Sequence, residues 1–127
     1  MGISAHALPK ALVYNGEGVC EESCASTFKD ILLNYHVEYV NNSNFDSDTF
    51  KDAKLWVQPG GYAVESVNSM SAELKQGMLD FIRNGGGYMG FCAGAFTATT
   101  LVGTTAAPGF GLMPGYTALR GKGIDML

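Results

Sequence analysis

The chain alternates short apolar runs with helically spaced ones. Ala11-Leu12-Val13-Tyr14 is continuously apolar and halts at Asn15-Gly16, the pattern of a buried strand closed by a turn. Cys24, Phe28, Ile31, Leu32 and Tyr35 then fall at helical spacing behind Glu21 and Glu22, acidic residues that suit the positive end of a helix. Val37 to Asn41 predicts a second strand. The polar stretch from Asn42 to Asp48 predicts a loop, followed at most by a short helix around Thr49 to Ala53. Leu55-Trp56-Val57 predicts a third strand, stopped by Gln58-Pro59-Gly60-Gly61.

Ser71 is a candidate N-cap, with Leu74, Met78, Phe81 and Ile82 on one apolar helical face and Asn84-Gly85-Gly86 as the stop. Gly87 to Phe91 predicts a fourth strand, and small residues from Ala93 to about Leu101 a final helix. The remainder, Gly103 to Gly123, is weakly periodic, with a short strand candidate at Phe110 to Met113. Strands and helices in this order predict an α/β fold with a parallel sheet and helices on both faces. Ligands of such sheets bind beyond the carboxyl ends of the strands. A small-molecule ligand is therefore expected at the edge where Asn15-Gly16-Glu17-Gly18, Pro59-Gly60-Gly61-Tyr62 and the turn at Cys92 converge.

Composition narrows the function. The 127 residues fit a single domain, with residues 1–9 expected as a flexible start. A net charge of −4 and a pI near 4.9, with no basic run, argue against nucleic acid or an anionic membrane surface as partner. No apolar stretch approaches a membrane span. Ala5-His6-Ala7 has the form a signal peptidase leaves; a leader remnant would place the chain outside the cytoplasm, which is otherwise the default. Cys20 and Cys24 can pair in an oxidising compartment, although two cysteines stacked four apart on one helix make an awkward bridge. Otherwise Cys24 is a small core residue and Cys20 a loop thiol. Neither a metal site nor a cofactor is expected, and Gly16-Glu17-Gly18 lacks the third glycine of a dinucleotide loop.

Gly90-Phe91-Cys92-Ala93-Gly94 has the G-x-C-x-G form of a nucleophile elbow, in which side chains two residues either side of the nucleophile would collide. A helix following the cysteine favours thiolate over thiol. The N–H groups of Gly60, Gly61 and Ala93 are candidate oxyanion donors, and Glu17, beyond the first strand, a candidate partner for the thiol. The only histidines, His6 and His36, fall in the amino end and at the opposite edge of the sheet, so the chain's own triad is incomplete.

Taken together, Val13-Tyr14-Asn15-Gly16, Gln58-Pro59-Gly60-Gly61-Tyr62 and Gly86 through Ala95 resemble the amino-terminal domain of eukaryotic biotin-protein ligase and its stand-alone bacterial relatives. Gly111-Leu112-Met113-Pro114-Gly115 is a weaker fourth block. These domains belong to the class I glutamine amidotransferase-like superfamily. The resemblance implies a flavodoxin-like sheet, Cys92 at the nucleophile position and Gly60, Gly61 and Ala93 around the oxyanion. Tyr62, Asn15, Gly16 and Glu17 join them as ligand-contacting candidates. In amidotransferases a His and a Glu far downstream complete the triad, so the chain reads as truncated at its carboxyl end. Such truncation would expose apolar surface and favour a homo-oligomer. The ThiJ/PfpI group shares the elbow and uses a carboxylate after the first strand, the place of Glu17. It gives the alternative of a thiol enzyme acting on a small carbonyl or amide. A non-catalytic binding or regulatory module is the third reading.

Overall fold

A computed structural model describes residues 8–20, 22–103, 107–120 and 123–126. Strand β1 (Lys10–Tyr14) is the centre of a four-stranded parallel sheet, with Ala11 to Tyr14 almost wholly buried. It lies between β2 (His36–Val40) and β3 (Ala53–Gln58), and β4 (Gly87–Gly90) pairs with the far side of β3, giving the order β2-β1-β3-β4. All three pairings are parallel. This is the flavodoxin-like order, with the direction of strand addition reversing between β1 and β3.

Alternation along the strands divides the core in two. Ala11, Val13, Leu55 and Val57 face helix α1 (Glu22–Ile31) and meet its Ala25 and Phe28. Leu12, Tyr14 and Trp56 face the other way, against Val67 of α2 (Ala63–Ser69) and Leu74 and Met78 of α3 (Ala72–Arg83). Helices thus cover both faces, as the strand-helix alternation predicts. Leu32 and Tyr35, which the helical spacing placed on α1, follow its end and still pack partly against the same core.

Helix α3 begins and ends where its sequence says. The Ser71 hydroxyl accepts from the Leu74 N–H at 3.2 Å, and Gly85 at φ 104° turns the chain away beyond Asn84. Ser71→Ala is expected to destabilise the fold by about 1 kcal/mol, measured by denaturant unfolding. The segment around Thr49 to Ala53 forms turns and the start of β3 instead of a helix. Helix α2 is an addition to the sequence expectation. It is short, holds two valines and two serines, and its N-cap, Tyr62, makes no side-chain capping bond.

The carboxyl part also departs from expectation. Helix α4 (Ala93–Thr97) has five residues and stops short of Leu101. A second sheet follows, of β5 (Leu101–Val102), β6 (Ala107–Pro108), β7 (Tyr116–Arg120) and β8 (Gly123–Met126), in the order β6-β5-β7-β8. Residues 110–113 form no strand. Their N–H groups cap the end of α4, Phe110 donating to the Thr97 carbonyl at 2.7 Å and Leu112 to that of Ala98 at 2.8 Å. Carbonyls without a partner inside so short a helix are satisfied this way, and Phe110 joins the core cluster that holds Trp56 and Val67, its ring edge-on to Tyr88.

Of the expected flexible start at 1–9, residues 1–7 (with Ala5-His6-Ala7) lie outside the described residues, and the Pro9 carbonyl already accepts from the His36 N–H at 2.9 Å. No helix among the described residues is long and apolar enough to cross a membrane.

Tyr14 gives the fold an alkaline limit. Burial, assisted by the Glu17 charge, pushes its hydroxyl up to about 12 from the ordinary tyrosine value near 10. A raised value means that the folded state holds its proton longer than the unfolded chain. The associated stability is complete below about pH 10 and is lost as pH rises towards 12, by about 2 kcal/mol. Unfolding curves between pH 9 and 12 are expected to show that loss, and Tyr14→Phe to reduce it.

Candidate functional site

The loops after β1 and β3 meet at the point where the strand order reverses. Val19 and Gly61 form an isolated antiparallel bridge, closed by Tyr62 N–H to the Gly18 carbonyl at 2.6 Å and Cys20 N–H to the Gly60 carbonyl at 2.9 Å. The approach demands glycine: a Cβ on Gly61, whose φ is 140°, would stand 2.5 Å from the Cys20 nitrogen. The chain between β1 and α1 is thereby fastened to the loop that carries two of the candidate oxyanion donors.

Cys92 stands beside that loop, on the turn from β4 into α4. It is exposed and carries φ 52° and ψ −113°, a sparsely populated conformation for a residue with a side chain. The neighbouring glycines make the turn possible. A Cβ at Gly90 would lie 2.5 Å from the Gly94 carbonyl oxygen, and one at Gly94 would overlap the Gln58 carbonyl oxygen. Gly60 of the β3 loop lies close by, since a Cβ built there would sit 3.5 Å from Cys92 Cβ. Among the described residues, the N–H groups of Gly60, Gly61 and Ala93 donate to no backbone or side-chain acceptor.

Two supports were not legible in the sequence. The Tyr88 hydroxyl donates to the Gly94 carbonyl at 2.6 Å and lies 3.0 Å from Thr97 Oγ1, which donates to the same carbonyl at 2.9 Å. Burial raises the Tyr88 hydroxyl well above the usual tyrosine value despite the Thr97 hydrogen bond, so it remains a donor. Phe91 packs against Phe28 of α1 with ring centroids 4.8 Å apart and the rings tilted by 45°, holding the other side of the turn. An aromatic two residues before a G-x-C-x-G turn and a threonine after it were the available hints.

The other candidates are spread along the same edge. Asn15 Oδ1 accepts from Asn41 Nδ2 at 2.9 Å, which turns it towards β2. Gly16 leaves room for the Tyr14 ring. Glu17 acts electrostatically on Tyr14, Tyr62 is 71% exposed at the start of α2, and no described hydrogen bond joins either to the Cys92 sulfur. His36 pairs in register with Lys10 at the amino edge, 3.6 Å from Glu38, at the end of the sheet away from Cys92. Cys20 and Cys24 are joined in a disulfide with Cα atoms 5.8 Å apart. The bridge is feasible because Cys20 precedes α1 instead of lying on it, and the separation falls within the ordinary disulfide range. No group of three or more His, Cys, Asp or Glu among the described residues could hold a metal ion.

Residues 9–106 match the family model described as biotin-protein ligase, N terminal. The biotin–protein ligase of Schizosaccharomyces pombe is 28% identical over 96 residues, covering 72% of this chain but 15% of that protein. With the matched span holding the whole parallel sheet, both glycine loops and the Cys92 turn, the chain belongs to the biotin-protein ligase N-terminal family.

Proposed function

We propose that this domain is a glutamine amidotransferase-like module in which Cys92 acts as a nucleophile towards a small carbonyl or amide compound. One observation carries the reading: an exposed, non-glycine residue held at φ 52° between a strand and a helix, with glycines at both positions where a side chain would collide. Backbone strain of this kind persists only where the surroundings enforce it, and it supports reading the turn as a nucleophile elbow. The Cys92 sulfur would attack the carbonyl carbon. The oxygen, gaining negative charge as the carbonyl π bond breaks, would be received by the N–H of Ala93 and of the Gly60–Gly61 segment. Helix α4 is five residues long, so local N–H groups, and not a long helix dipole, would supply that stabilisation.

No described histidine or carboxylate hydrogen-bonds the sulfur, so the proton acceptor would come from the ligand or from a group outside the described residues. The same observation favours a second reading, in which the site binds a small molecule without turnover. This chain spans 15% of the longer relative, and that protein's ligase activity is not carried over to it.

Alkylation of the folded chain by iodoacetamide separates an activated thiol from an inert one. Cys92 is expected to react at least tenfold faster at pH 7 than it does in the unfolded chain; equal rates would remove the nucleophile reading. Gly60→Ala places a methyl in ordinary contact with Cys92 Cβ, without positive φ. It should slow alkylation severalfold while leaving the melting temperature nearly unchanged.

A further inference from the structure

The Cys20–Cys24 disulfide closes a ring of five residues. In the chain-entropy picture such a short ring restricts the unfolded state far less than a long one, so its main consequence is local. That locality is informative. Cys20 is the residue whose N–H holds the Gly60 carbonyl, while Cys24 belongs to α1, which is anchored through Phe28 to Phe91, the neighbour of Cys92. The disulfide therefore ties the rigid helix on one side of the Cys92 turn to the glycine loop on the other.

The peptide joining Gly60 to Gly61 converts this tie into chemistry. Its carbonyl and N–H point in opposite directions across a planar trans unit. Fixing the Gly60 oxygen on the Cys20 nitrogen at 2.9 Å thus fixes the direction of the Gly61 N–H. Gly60 and Gly61 have no Cβ to restrain them, and the bridge to Val19 is only one residue pair long. The other described restraint on this segment is the Tyr62 N–H bond to the Gly18 carbonyl at 2.6 Å, made to the same loop that carries Cys20.

The geometry points to a redox switch: the Cys20–Cys24 disulfide locks the Gly60–Gly61 peptide beside Cys92, and its reduction releases that peptide and changes access to the Cys92 thiol. The reductant is a dithiol. It gives up two electrons and two protons as its own sulfurs close into a disulfide, and the Cys20–Cys24 bond opens to two thiols. The consequence for a reacting oxyanion rests on the reading of Cys92 as nucleophile; release of the loop does not.

The test is hydrogen exchange on the whole 127-residue chain, oxidised and after treatment with dithiothreitol. The Cys20 and Tyr62 amides, the two donors of the bridge, are expected to lose at least tenfold in protection, while Leu74 and Met78 in α3 keep theirs. Cys92→Ala should show the same loss, which separates the switch from the reactivity of Cys92. In a Cys20→Ser, Cys24→Ser chain, where Cys92 is the one thiol, iodoacetamide alkylation should change at least threefold relative to the oxidised parent. Unchanged protection at Tyr62 overturns the proposal. So does loss of protection throughout α3, which would make the bond a clamp on the whole fold. An unchanged alkylation rate in the serine chain overturns the coupling to Cys92.

Discussion

Gly94→Ala is expected to remove about 3 kcal/mol of stability and lower the melting temperature by roughly 10 °C. The added Cβ would overlap the Gln58 carbonyl oxygen and stand 2.9 Å from that of Pro59. Neither obstacle is a flexible side-chain end. The Gln58 oxygen accepts the Phe91 N–H at 3.1 Å, tying the end of β3 to the turn itself, and the Gly94 carbonyl is held by both Tyr88 and Thr97. Relief therefore requires β3 and α4 to separate, which would also move Cys92. Gly85→Ala is the control: it has positive φ but nothing within 4 Å of the new methyl, so backbone strain of roughly 1–2 kcal/mol is its whole cost. If calorimetry finds the two variants equally stable, close approach of the backbones is not what fixes the turn. Gly94→Ala should in addition slow Cys92 alkylation, which Gly85→Ala should leave alone.

Why the Cys92 turn was legible, and other features were not, follows from the range of the forces involved. The collision between positions 90 and 94 is local, so five residues carry it. The strands at β1 and β3 were equally clear because burial on both faces writes continuous apolar runs into the chain. Helix α2 has no such mark. Its seven residues bury only Ser66 and Val67, and the loop bridge at Gly61 fixes its start in place of a capping side chain. The second sheet is built from strands as short as two residues, below the length at which periodicity can be read. Residues 110–113 resemble a strand by composition, yet their backbone bonds go to the end of α4, an arrangement visible only after folding.

The cysteine pair shows the same limit. Its spacing of four left pairing open, with poor bridge geometry if both residues lay on one helix; Cys20 lies before α1, in the loop bridge, and the two are joined. Site residues were legible in proportion to their dependence on backbone. Gly60 and Ala93 fall beside Cys92 because they continue its own strand-turn geometry or the adjacent strand's. Asn15 and Glu17 required side-chain directions, and that of Asn15 is set by Asn41 across the sheet edge.

The second large effect should come from the polar pair inside the core beneath the site. Trp56 is fully buried, and its indole N–H donates to Gln58 Oε1 at 2.9 Å, while Gln58 Nε2 is buried with no partner among the described residues. Trp56→Phe leaves a cavity and removes the donor from Gln58, which should destabilise by about 3 kcal/mol. Gln58→Met removes an amide that is only half satisfied but leaves the indole N–H unpaired. These changes oppose each other, and the single variant should lie within about 1 kcal/mol of the parent. Combining the two removes both polar partners together, so the double variant should be about 1–2 kcal/mol more stable than the sum of the single effects. Denaturant unfolding of the four chains gives the coupling directly. Additivity within about 0.5 kcal/mol would mean that the hydrogen bond contributes nothing and that Gln58 is held at the end of β3 by packing alone. A positive coupling would instead explain how a polar side chain is tolerated at the buried base of the Pro59-Gly60-Gly61 loop. There the same residue's main-chain carbonyl also receives the turn that carries Cys92.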